Sequence, residues 1–215
     1  LALHGDRFVQ ELMDFLKIPS VSTDPKHKND ILAAAEYLAY HLENAGAEKV
    51  QIMPTEGHPV VFGSVQVDED LPTVLIYGHY DVQPADPIEL WDSPPFEPEI
   101  RDGKIYARGA CDDKGQMFMQ VKMLEFLTTS NHTSCNLKFL FEGEEEIGSR
   151  NLPAFIDEHL DLLACDQVLI SDTAMLSMET PSVICGLKGI ALFEVEVNGP
   201  SQDLHSGIYG GTVAN

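Results

Sequence analysis

Three apolar stretches of this sequence each run directly into residues able to hold a metal ion or move a proton. Thr73-Val-Leu-Ile-Tyr77 is followed at once by Gly78-His79-Tyr80-Asp81. Residues 137–141 run into Glu142-Gly143-Glu144-Glu145-Glu146, and Val168-Leu-Ile170 ends at Ser171-Asp172. A fourth segment, Arg108-Gly-Ala-Cys-Asp-Asp-Lys-Gly115, places Asp112 and Asp113 in a loop just before a helix. If the three stretches are strands of an open α/β sheet, their carboxyl ends mark the edge where ligands bind. One imidazole and several carboxylates gathered there repel one another unless a cation compensates. A pair of divalent metals supplies that charge, and zinc accepts both His nitrogen and carboxylate oxygen. Two-metal sites hold their ions about 3.5–4 Å apart, so a bridging ligand must present two oxygens, as Asp or Glu does. Water held between such ions becomes a hydroxide nucleophile near neutral pH, with an unligated Glu as its general base.

Taken singly, each motif has a plainer reading. A lone His-x-Asp is a surface or capped histidine, and Glu144-Glu145-Glu146 is a solvated acidic loop. Asp112-Asp113 is a cap at the positive end of a helix. Asp172 after a strand is turn chemistry. Their common placement after strands is what favours a site.

The elements that must position these residues follow from periodicity. Phe8, Leu12, Phe15 and Leu16 share one helical face, and that helix should stop before Pro19. Ile31, Ala35, Leu38 and Leu42 mark a second helix, with Gly46 at its C-terminal cap. Met117, Val121, Leu124 and Leu127 mark a third, and residues 152–163 a fourth. Strands are expected at 60–67, 73–77, 137–141 and 168–170; the unbroken apolar run at 73–77 suits a strand covered on both faces. The expected fold class is α/β, a central mixed and mostly parallel sheet sandwiched by helices. From Gly189 the texture changes: Phe193, Val195 and Val197 alternate with Glu194, Glu196 and Asn198, the pattern of a strand with one wet face. A boundary is therefore expected near residues 187–189, dividing a catalytic domain at 1–187 from the start of a second, incomplete unit at 188–215.

Composition narrows the partners. Among 215 residues, 35 acidic side chains against 13 basic ones give a formal charge of −22. That excess disfavours nucleic acid and anionic membrane surfaces, both of which attract Lys and Arg. No run approaches the roughly 18–20 apolar residues of a membrane span. Residues 1–16 are amphipathic, unlike the apolar stretch of a signal peptide. Cys111, Cys135, Cys165 and Cys185 have no C-x-x-C spacing, which points to reduced thiols and a cytoplasmic protein. Neither G-x-S-x-G nor a G-x-x-x-x-G-K-[ST] loop occurs, so serine catalysis and nucleotide use lack a motif. The chain begins at Leu1 rather than Met and stops at Asn215 just after a Gly-rich turn, and is expected to belong to something longer.

Seven ordered motifs resemble the M20 family of metallopeptidases. They are Gly78-His-Tyr-Asp-Val-Gln-Pro84, Trp91-Asp-Ser-Pro-Pro-Phe96, Arg101-Asp-Gly-Lys-Ile-Tyr106, Arg108-Gly-Ala-Cys-Asp-Asp-Lys-Gly115, Phe141-Glu-Gly-Glu-Glu-Glu-Ile-Gly-Ser149, Ile170-Ser-Asp172 and Asp203-Leu-His-Ser-Gly-Ile-Tyr-Gly-Gly211. Within the family they are most similar to the dipeptidase branch that includes the carnosine and cytosolic nonspecific dipeptidases. The resemblance implies a zinc-exopeptidase-like fold and two divalent ions, zinc with manganese as the alternative. It implies His79 and Asp172 as terminal ligands of one metal, Asp112 as the bridge and Glu146 on the other metal. Glu145, counted back from Gly148-Ser149, is implied as general base, with Glu144 at a position that varies. Asp81 resembles the acid that hydrogen-bonds the metal histidine and fixes its tautomer, while Asp113 and Lys114 read as support.

His205 resembles a lid-domain histidine that reaches the partner subunit's active site in a homodimer and helps stabilise the oxyanion. Read by itself, it is a turn histidine. Family members are about twice this length, and their late histidine on the second metal has no counterpart here. The expected activity is metal-dependent hydrolysis of the amide bond of dipeptides, with a Glu as general base. The alternatives are an N-acyl-amino-acid deacylase, of the acetylornithine deacetylase or succinyl-diaminopimelate desuccinylase type, and an inactive metal-binding fragment.

Overall fold

A computed structural model describes residues 4–130, 132–180, 182–196 and 198–212 of the protein. The chain divides into two compact units, Leu1–Ala174 and Met175–Asn215. In the first, the 3.6-residue pattern near the start forms α1 (Gly5–Leu16), which buries Phe15 and Leu16 and ends ahead of Pro19. Next comes α2 (Lys28–Asn44), burying Ile31, Ala35, Leu38 and Leu42. It closes at Gly46, whose φ of 100° is open to a residue without a Cβ.

The strands β1 (Glu48–Met53), β2 (Val60–Val65) and β3 (Thr73–His79) follow, then a hairpin of β4 (Glu99–Arg101) and β5 (Lys104–Tyr106). After α3 (Lys114–Ser130) come β6 (Asn136–Glu142), α4 (Leu152–Glu158), α5 (Leu160–Leu163) and β7 (Gln167–Ile170). Five strands form one sheet in the order β1-β2-β6-β3-β7. Pairs β1–β2 and β2–β6 are antiparallel, whereas β6–β3 and β3–β7 are parallel. The parallel strands end at the candidate site residues. Their register sets His79 beside Glu142 and Tyr77 beside Ile170, so three carboxyl ends finish side by side.

Side chains alternate across this sheet with period two. Val61, Phe139 and Phe141 point to α1, α2 and α3, where they meet Phe15, Leu38, Phe118 and Val121. Val60, Phe62 and Leu140 point to the opposite face, against Phe155 and Leu163 of α4 and α5. Cover on both faces explains why β3 and β6 read as continuous apolar runs, whereas β7, at the sheet edge, leaves Val168, Leu169 and Ile170 exposed. Close approach matters at Gly78, where a Cβ would lie 2.8 Å from Asp113 Oδ2 and 2.9 Å from Met117 Cγ. The missing side chain lets the start of α3 settle against β3.

Several expectations change in detail. The helix expected over 152–163 is interrupted at His159, whose φ of −123° leaves the helical range while its ring packs 4.5 Å from Phe155. The strand expected over 60–67 stops at Val65. β1 was not anticipated, although Val50 and Ile52 carry its period-two signal.

In the second unit, Phe193 and Val195 form no strand, and Val197 lies outside the described residues. A strand needs a neighbour for its N–H and C=O groups, and among the described residues this segment has none. By compactness the second unit runs from Met175. It contains α6 (Ser206–Tyr209). No helix among the described residues is long and apolar enough to cross a membrane.

Gly78→Ala should cost about 1–3 kcal/mol, because the added methyl overpacks the β3–α3 contact. Urea unfolding should show a lower midpoint with an unchanged slope.

Candidate metal centre

His79 ends β3, and it and Asp81 are fully buried. Its Nδ1 lies 3.1 Å from the Asp81 carbonyl oxygen and 3.4 Å from Asp81 Oδ1. With the Nδ1 proton directed at these acceptors, Nε2 is left as the basic nitrogen. Nε2 is buried and has no hydrogen-bond partner. It faces Asp112 Oδ1 at 3.2 Å, Asp172 Oδ2 at 3.5 Å and Glu145 Oε2 at 3.9 Å.

Ionised carboxylates have no proton to donate to that nitrogen, so only a positive charge between them satisfies the group. Burial alone would lower the imidazole pKa, but the hydrogen bond and charge of Asp81, with Asp113 and Glu145, lift it to about 10. The field thus favours positive charge, which a divalent ion supplies more fully than a proton. One ligand atom each from His79, Asp112 and Asp172 lies within 4.8 Å of the other two, a donor set that suits zinc. These residues fit a metal.

The carboxylate of Asp81 has a second task. Its Oδ1 accepts the Glu145 amide at 3.2 Å and its Oδ2 the Glu146 amide at 3.1 Å. One buried acid therefore orients the imidazole and holds the short turn Glu145–Ile147, which ends at Gly148 with φ 88°. That turn sends three consecutive acids to different places. Glu145 stays half-exposed beside His79. Burial pushes its carboxyl up and His79 pulls it down, while the charges of Glu146, Asp172 and Asp81 add to the rise, leaving it above its ordinary range.

Glu146 Oε2 accepts from Gln83 Nε2 at 2.7 Å, and the same amide reaches the Glu146 carbonyl at 3.2 Å. Glu146 contributes no atom to the three-residue group. Glu144 is buried elsewhere, where its carboxylate accepts His58 N at 3.0 Å, Asn151 N at 3.3 Å and Asn151 Nδ2 at 2.8 Å. It joins the loop before β2 to the start of α4 and leaves the cluster to its neighbours.

Asp113 is fully buried, and its Oδ2 accepts the His79 amide at 3.2 Å. Burial is the main reason its carboxyl rises to about 7. Asp172 lies two residues beyond the end of β7. His205 belongs to the second unit, where it caps α6 and its Nδ1 accepts from Gly207 N at 3.0 Å.

Sequence reasoning missed Gln83, although it lies within the Gly78–Pro84 motif, because an amide carries no metal signature. It also missed Glu142, which accepts from Tyr77 Oη at 2.5 Å and Ser149 Oγ at 2.8 Å beneath the acidic turn.

Comparison with known proteins sets this geometry in context. The family model described as peptidase family M20/M25/M40 matches residues 75–205. A Cys-Gly metallodipeptidase of Schizosaccharomyces pombe is 36% identical over 221 residues, covering 97% of this chain and 46% of that protein. The Beta-Ala-His dipeptidase of Homo sapiens is 34% identical over 224 residues, covering 97% and 44%. Among solved structures, human carnosine dipeptidase 1 superposes with a TM-score of 0.78 at 28% identity, covering 98% of this chain and 47% of that one. An M20 metallo-carboxypeptidase of Sulfolobus solfataricus gives 0.72 at 40% identity, covering 76% and 37%. The chain spans about half the length of the curated relatives it matches.

Glu144→Ala should leave the His58 and Asn151 donors without their acceptor, at a cost of about 1–3 kcal/mol. Chemical denaturation should register that loss, while metal affinity stays at the wild-type value because Glu144 faces away from His79.

Proposed function

The chain belongs to peptidase family M20/M25/M40, and from that membership we propose that it is a metal-dependent dipeptidase acting on small peptides. The observation carrying this reading is the buried Nε2 of His79, partnerless and facing the carboxylates of Asp112, Asp172 and Glu145. Relatives named for Cys-Gly and Beta-Ala-His dipeptides support the substrate class. Two divalent ions are proposed, zinc with manganese as the alternative. His79, Asp172 and Asp112 would hold the first, and Asp112 and Glu146 would hold the second. When bound, such ions polarise a scissile carbonyl and lower the pKa of water.

The remaining work falls to side chains. Glu145 takes the proton of the attacking water and returns it to the leaving amine; a carboxyl raised above its ordinary range is better matched to that exchange at neutral pH. Asp81 keeps His79 in the tautomer that presents Nε2 and holds the backbone of both acids. Gln83 orients Glu146. Residues 188–215 begin a lid through which the protein forms a homodimer, and His205 donates to the substrate oxygen that gains negative charge in the partner's site. Free Cys111, Cys135, Cys165 and Cys185 suit a reducing cytoplasm.

Glu145→Gln should lower turnover by about 10²–10⁴-fold and leave the metal content unchanged by elemental analysis. Metal lost together with activity would place Glu145 among the ligands instead. Hydrolysis measured on a panel of dipeptides beside acetylated and succinylated amino acids tests the substrate class. Faster cleavage of the acyl compounds would make the protein a deacylase.

A further inference from the structure

The segment after α1, residues 18–21, is bonded to both arms of the metal centre and supplies no ligand to it. On one side stands Lys114, the first residue of α3 and close in sequence to Asp112. Lys114 is 0% exposed, and its Nζ donates to Ile18 O at 2.6 Å and Phe15 O at 3.3 Å, 4.7 Å from the centre of the Phe15 ring. On the other side stands Ser20, also 0% exposed. Its Oγ donates to Tyr80 O at 2.6 Å, and its carbonyl accepts Val82 N at 2.9 Å. Val21 continues the contact as a parallel bridge to Val82. Tyr80 and Val82 flank Asp81, and Tyr80 follows His79 directly.

A buried ammonium is costly unless its protons are satisfied. The partners of this one are main-chain carbonyls at the end of α1, where the helix dipole is negative. The same short segment then holds the loop carrying His79 and Asp81. Asp112 and His79 come from distant parts of the chain, yet each is tied through about one residue to residues 15–21.

From this we infer that Lys114 and Ser20 are positioning residues for the metal centre, acting through residues 15–21 as a brace that sets the separation of the Asp112 loop from the His79–Asp81 loop. The inference rests on the metal-centre reading above. Partners behind metal ligands commonly change affinity by about 10–100-fold when removed, and a brace that sets donor spacing belongs with them.

The test is zinc affinity by chelator competition, the cobalt(II) absorption bands and the melting temperature without metal. It compares the wild-type chain, Ser20→Ala, Lys114→Met and the control Leu42→Ala, whose side chain is buried in the helical core. Ser20→Ala and Lys114→Met should each weaken zinc about tenfold or more and shift the cobalt bands. Leu42→Ala should melt earlier yet bind zinc as the wild type does. Should Lys114→Met fail to fold, Ser20→Ala decides. Brace variants that melt earlier but keep wild-type zinc affinity and cobalt bands would reduce both residues to structural ones and overturn the inference alone. A wild-type chain that takes up neither zinc nor cobalt would overturn the metal reading, and the inference with it.

Discussion

Carboxylates crowded around one buried imidazole nitrogen are the constraint that the surrounding structure answers. Asp112, Asp172 and Glu145 approach His79 Nε2 to within 4 Å. Like charges gathered around one buried group repel one another. Part of the relief is internal, because Asp81 accepts two amides and Asp113 a third. Each such bond stabilises an anion without adding a mobile group. The remaining excess lies on Nε2 and the oxygens facing it, and a cation is what can balance it.

The sheet makes this crowding geometrically possible. Parallel pairing of β3 with both β6 and β7 aligns three carboxyl ends in one row. An antiparallel neighbour would have placed an amino end there instead. Helices cover both faces of the sheet at β3 and β6, so these strands are held by apolar packing and the polar groups collect at the end of the row. Gly78 completes the arrangement by letting α3, and with it the Asp112–Asp113 loop, lie against β3.

The acidic triplet shows how backbone geometry separates chemically identical residues. A tight turn capped by Asp81 points Glu145 at His79, leaves Glu146 to Gln83 and buries Glu144 against His58 and Asn151. Three equal charges thus acquire three environments. Relatives that share this architecture extend to about twice the matched length. In the second unit the Phe193–Val195 alternation forms no strand among the described residues.

Local pattern alone was enough to identify the three parallel strands, the three long helices and the His- and acid-bearing loops after the strands. A strand covered on both faces must be apolar throughout, and the residue after its carboxyl end is where chemistry can sit; both facts are written in consecutive residues. The fate of each glutamate, the shared use of Asp81, and the parts played by Gln83, Glu142, Ser20 and Lys114 were decided by contacts between segments far apart in the chain. An amide, a serine or a buried lysine has no distinguishing spacing. Its role exists only once folding sets a particular carbonyl or carboxylate within hydrogen-bonding distance.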